Sequence, residues 1–303
     1  MFKHALIPFD GSKLAESVLP IARFLAQKIG FKMTLFHIME EHPPKDVHGE
    51  AHLRNYEEAQ SYLKNLVEKS MIAGVDIDCH VHKTSTDNVA SGIVDHISEL
   101  NPDLIIMCVH GGKDLKRTFF GSIAQTVFLK GGIHVLTVPA TTRDLVDDFK
   151  IKRIMVLLDG DKEHDKGVCS AAEIARKTSS MLDLILVVPT VNTLSGGESF
   201  KRSIMPGATK VLLDMSESNL KSYLSEIAKK IEVGSGKVSF EILRGDPLRI
   251  VLDKKKKNDY DLLVFGSHGK KGFDAFFDGS KGSRLLNESE LPILLVPILK
   301  EQH

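Results

Sequence analysis

Gly266-Ser267-His268-Gly269, followed after nine residues by Gly279-Ser280, is the stretch of this chain whose residue types and spacing carry the clearest chemistry. Glycines let a backbone approach a phosphate with no Cβ in the way. If Gly279-Ser280 opens a helix, its free N–H groups and positive dipole end suit an anion. Asp159 closes the apolar run 154–158, where a carboxylate would accept from an amino or hydroxyl group of a ligand. A carboxylate at one end and an anion cradle at the other would clamp a nucleotide. An earlier, altered version of the set occurs in the first half. There Asp10 follows the apolar run 5–9, and Val109-His110-Gly111 is followed by Gly121-Ser122.

Histidine is the second chemistry-bearing type. Ten of the 13 histidines lie in the first half. His48 and His52 have i, i+4 spacing, which places both rings on one face of a helix, and His80 and His82 have the spacing that places both on one face of a strand. Four such imidazoles would make a tetrahedral zinc site, with Glu50 or His42 able to replace one ligand. The competing reading is a set of exposed polar residues on a long loop and a strand edge. His110 and His268 hold matching places and would orient a loop or face solvent near the phosphates. No activated nucleophile stands beside them, so no dedicated enzyme activity is expected.

The elements that must position these residues repeat twice. Residues 5–9, 33–39, 75–82, 104–109 and 133–138 are apolar or alternating runs of strand length. Residues 14–29, 53–73, 88–100 and 122–130 carry helical spacing, with Asp87 as an expected N-cap. The second half repeats this order: 4–11 resembles 153–160, and 135–139 resembles 294–297. It is longer by about nine residues, most naturally in the Ser-, Pro- and Gly-rich stretch 190–210. Alternating β and α of this kind predicts mostly parallel sheets with helices on both faces, and ligands at the carboxyl ends of the strands where strand order switches.

The Gly-x2-Gly-x9-Gly-Ser pattern, the Asp-Gly after strand one, the Gly245-Asp246-Pro247 turn and the closing Val-Pro fall in order. Together they resemble the universal stress protein family, in its ATP-binding branch, across two domains at 1–140 and 150–303. The resemblance implies two five-stranded parallel sheets of order 3-2-1-4-5, packed as a pseudo-twofold pair within one chain. It also implies ATP with Mg²⁺ as ligand. In the second copy Asp159 and Val188 would meet the adenine or ribose. Gly266, Ser267 and Gly269 would line the ribose and phosphate path, and Gly279 and Ser280 would hold the phosphates. Pro8, Asp10, Ile38, Val109, Gly111, Gly121 and Ser122 are the matching residues of the first copy. Both copies depart from the pattern: Cys108 replaces the first glycine of copy one, and Asp274 and Asp278 enter the phosphate loop of copy two. Lys113, Lys116 and Arg117 make the copy-one loop friendlier to phosphates, while the intact glycines favour copy two.

Bulk composition narrows the function classes. Forty basic and 40 acidic residues give zero net charge, so no broad basic surface for nucleic acid is expected. The run 254–257 of four lysines ends a helical stretch, where cations suit the dipole. Three cysteines with no CxxC pair fit a reducing cytoplasm. No apolar run reaches membrane-span length. The leading expectation is a nucleotide-responsive stress or signalling module with protein partners, working as an intrachain pair or as a homodimer. The alternatives are a weak ATPase or autophosphorylating protein, with Ser122 or Ser280 as acceptor, and a pseudo-symmetric scaffold that holds zinc or a non-nucleotide ligand.

Overall fold

The computed structural model describes residues 2–42, 46–47, 50–70, 74–86, 88–109, 122–140, 149–158, 165–188, 206–231, 233–234, 236–267 and 288–298. The first half builds β1 (His4–Pro8), a 3-10 turn (Ala15–Val18), α1 (Leu19–Ile29) and β2 (Lys32–Glu40). A small hairpin follows, of β3 (Asp46–Val47) and β4 (Glu50–Ala51), and then α2 (Tyr56–Ser70) and β5 (Ile77–Thr86). α3 (Val89–Leu100), β6 (Leu104–Val109), α4 (Ser122–Gly131) and β7 (His134–Pro139) complete it. The second half contains β8 (Arg153–Leu158), α5 (Asp165–Thr178), β9 (Met181–Val188), α6 (Pro206–Lys230), β10 (Val238–Arg244), α7 (Pro247–Lys257), β11 (Leu262–Ser267) and β12 (Ile293–Pro297).

Contacts divide the chain into two compact units, residues 1–150 with 267–303, and residues 151–266. In the first unit the strands run β5-β2-β1-β6-β7, all parallel, which is the 3-2-1-4-5 order. β12 then pairs antiparallel on the open side of β7, with Leu294 opposite Leu136. Thr137, fully buried, donates its hydroxyl to the Ile293 carbonyl at 3.2 Å. In the second unit the order is β10-β9-β8-β11, again parallel.

The apolar runs form central strands because both faces are covered. Ala5, Leu6 and Ile7 of β1, and Ile154, Met155 and Val156 of β8, are completely buried. Runs without alternation are what such strands require. α1 ends at Gly30, a left-handed C-cap whose N–H donates to the Ala26 carbonyl. α3 is capped by Asn88, whose side chain accepts from Ser91 N, in place of the expected Asp87, which lies outside the described residues. Pro206-Gly207, expected in a loop, instead opens α6, where proline's fixed φ and missing N–H suit the first turn. The lysine run ends α7 as expected, and Lys254 pairs with Glu241.

The amino ends of the second unit's strands are held by one buried carboxylate. Asp183 on β9 is 6% exposed. It accepts from Arg153 Nε at 2.6 Å, Tyr260 Oη at 2.7 Å and Ser239 Oγ at 2.6 Å. Arg153 also lies 5.1 Å over the Tyr260 ring. Burial alone would raise this carboxyl, but the bonds from Ser239, Tyr260 and Arg153 outweigh it and hold it below its ordinary value. The cluster stands at the end opposite to the one where α/β sheets bind ligands, so its role is cohesion.

Candidate functional site

Strand order in the first unit switches between β1 and β6. Phe9 N still donates to the Phe36 carbonyl at 2.8 Å, and Asp10 follows directly at the carboxyl edge of the sheet. Asp10 Oδ1 accepts from Ser12 N at 2.9 Å and Ser12 Oγ at 2.7 Å, and Ser12 Oγ in turn accepts from Ala15 N at 3.1 Å. The carboxylate therefore ties its own turn to the start of the 3-10 segment, a local side-chain role that short polar residues favour. Oδ2 accepts no hydrogen bond among the described residues.

Side chains of the same unit cover this edge. Gly11 has φ +93°, and a Cβ there would stand 2.8 Å from Leu53 Cγ, so Leu53 rests on the loop where only glycine leaves room. Glu50 accepts from Lys13 N. Tyr62 of α2 meets Phe9 edge-on at 6.4 Å and donates to Glu16 at 3.4 Å. Burial pushes the Tyr62 hydroxyl well above its ordinary pKa.

Cys108 stands one residue before the end of β6. Ser17 Oγ donates to its sulfur at 3.2 Å. Burial pushes the thiol up to about 11, partly offset by the Ser17 bond. The side chain that replaces a glycine is thus packed between strand and helix. With the thiolate the reactive form, native-state alkylation at pH 8 followed by mass mapping should label exposed Cys169 first and Cys108 last. Labelling of Cys108 ahead of Cys169 would contradict this packing. Pro8 and Val109 are the last residues of β1 and β6, Ile38 stands two residues before the end of β2, and Ile38 and Val109 are buried. Ser122 begins α4. Gly111 and Gly121 lie outside the described residues.

A register shift in the β2–β5 pairing falls between Ile38 and Glu40. Such irregularities re-aim side chains. Glu40 Oε1 lies 3.0 Å from His52 Nε2, and His52 Nδ1 lies 2.7 Å from the Leu53 carbonyl. His37, buried on β2, donates Nδ1–H to the Phe9 carbonyl at 2.8 Å, and its ring lies 6.2 Å from His52. Burial lowers the His37 pKa, favouring the neutral ring.

Of the four histidines expected to share a metal, the three among the described residues are not brought together. His52 follows a β-hairpin rather than riding a helix. His48 itself lies outside the described residues. His52 lies beside His37, whereas His80 stacks on Phe36 at 5.7 Å, and consecutive residues of β2 face opposite sides of the sheet. Among the described residues, His80 and His82 meet His96 of α3, with ring centroids 5.4 and 4.5 Å away. Burial, then His96, lowers both His80 and His82. His96 and Glu99 went unnoticed in the sequence, although their i, i+3 spacing on an amphipathic helix was a readable signal.

In the second unit the switch lies between β8 and β11. Val188 ends β9, 5% exposed, and its carbonyl accepts from Gly245 N at 3.1 Å. Asp246 then caps α7 by accepting from Arg249 N at 3.2 Å. Gly167 near the start of α5 lies against the end of β11: a Cβ there would be 3.0 Å from Gly266 N and 3.4 Å from the Phe265 carbonyl carbon. No side chain stands between helix and strand at this contact, where the first unit has Ser17 and Cys108. Asp159, Gly269, Gly279 and Ser280 lie outside the described residues, and Ser267 is placed as the last residue of β11.

Sequence and structure comparisons agree with this geometry. The Universal stress protein family matches residues 1–139 and again 150–297. The chain belongs to the universal stress protein family. It is a tandem member, and its α/β fold with mostly parallel strands is that of its relatives. A single-length universal stress protein of Synechocystis sp. is 25% identical over 148 residues, covering 48% of this chain and 96% of its own. A universal stress protein structure from Archaeoglobus fulgidus aligns with TM-score 0.66 at 18% identity, covering 99% of this tandem universal stress protein and 97% of that chain. A functionally unknown protein from Pseudomonas aeruginosa PAO1 aligns with TM-score 0.68 at 14% identity, covering 98% and 93%. No helix among the described residues of the tandem universal stress protein is long and apolar enough to cross a membrane.

Proposed function

We propose that this protein binds ATP with Mg²⁺ at the carboxyl edge of its second copy, and that loading changes which protein partners it engages. The carrying observation is the contrast at the two strand-four ends. In the second unit, Gly167 meets the Gly266 backbone with no intervening side chain. In the first, Cys108 is packed against Ser17 and Leu53 rests on Gly11. Gly167 lets α5 pack directly on the strand end that the motif assigns to the ribose path.

The residues that would hold the nucleotide are Val188 beside the base, Gly266 on the ribose path, and Asp159, Gly269, Gly279 and Ser280 by the motif. Titration of ATP-Mg into the full chain by calorimetry should give one site. Asp159→Ala should weaken binding at least tenfold, and Asp10→Ala less than threefold. Two equal sites, or equal losses from both variants, would reverse the assignment to copy two. Absence of heat at millimolar ATP would remove the nucleotide reading.

A further inference from the structure

We infer that His80, His96 and Glu99 form a binding site for a zinc-class divalent metal ion on the outer strand of the first unit. One ligand atom from each of the three lies within 4.8 Å of the others. His96 is 3% exposed, and its Nδ1–H donates to the Gly92 carbonyl at 2.7 Å. In the neutral ring that bond fixes the tautomer, with the lone pair on Nε2. Nε2 is buried and has no hydrogen-bond partner among the described residues. A buried acceptor left unpaired is unfavourable unless something claims it. Its closest charged neighbour is Glu99 Oε2 at 3.4 Å.

This is the arrangement of a histidine metal ligand: one ring nitrogen oriented by a carbonyl, the other facing the ion. His80 comes from β5 with its ring stacked on Phe36, and Phe36 also packs on His96 at 4.7 Å, so an apolar floor holds both rings. Glu99, whose side chain is 62% exposed, closes the site on the solvent side. Two imidazoles and a carboxylate suit zinc, with a fourth position left for water or an incoming ligand. His82 meets His96 edge-on and stands beside the three ligands. β5 lies two strands from β1, so the site is separate from the switch point and does not depend on the nucleotide reading.

The test is a zinc titration of the metal-free full chain in competition with a chromophoric chelator. One zinc should bind at this position. Glu99→Gln, an exposed change that leaves the fold intact, should weaken binding at least tenfold. His96→Phe, which keeps the aromatic packing, should abolish it, whereas His52→Ala should leave it unchanged. Cobalt(II) in place of zinc should give the intense visible bands of a four-coordinate site, lost in His96→Phe. Zinc binding unaltered by both Glu99→Gln and His96→Phe would overturn the assignment, as would no zinc bound by the unmodified chain.

Discussion

Asp183→Ala should cost about 3 kcal/mol of stability, because three donors lose their shared acceptor and the partly buried Arg153 guanidinium loses its counter-charge. Asp183→Asn should cost less, since an amide oxygen can still accept from Arg153 and Tyr260, which share one carboxylate oxygen. Urea unfolding at pH 7 measures both, and a loss below about 1 kcal/mol for the alanine variant would mean that water replaces the carboxylate. The same group sets an acid limit. Its folded-state pKa lies below the ordinary 3.8, so its stabilisation is fully present above that pH and drains away as pH falls through the lower, folded value. The alanine variant should lack this part of the acid transition, so its stability loss relative to the parent should shrink at low pH.

Gly167→Val should both destabilise the second unit and reduce nucleotide binding. A Cβ at 3.0 Å from Gly266 N meets backbone, which cannot rotate away as a side chain would. α5 must back off from the end of β11, at about 1–3 kcal/mol for overpacking of this kind. The displaced strand end carries the glycine on the proposed ribose path. At least a tenfold loss of ATP affinity is therefore expected, read by calorimetry on protein shown to be folded by its thermal transition. Destabilisation with unchanged affinity would mean that the β11 end is not part of the nucleotide site.

The sheet and its helices were legible because central strands bury both faces and must be apolar throughout, as in β1, β6 and β8. Their order in the first unit followed from the family resemblance and matches the observed pairing. Local chemistry read less well. Asn88 rather than Asp87 caps α3, because both types cap and only the backbone path separates neighbours. The β3–β4 hairpin has two-residue strands, too short to leave a period, so the spacing of His48 and His52 could not tell a helix from the hairpin that precedes His52. The histidine convergence depended on two facts absent from any single segment: the register that sets Phe36 beside His80, and the docking of α3 over that face. Spacing found the strand half of the cluster and could not find its helical partner.

The pairing of β12 with β7 has a consequence for how the protein is made. β7 is complete by Pro139, yet its antiparallel neighbour begins at Ile293, about 150 residues later. At roughly 5–20 residues per second of synthesis, the apolar edge of β7 stays open for on the order of ten seconds or more. During that interval the first half of a nascent chain presents an unpaired row of backbone donors and acceptors to whatever strand is nearby, including its counterpart on a neighbouring ribosome.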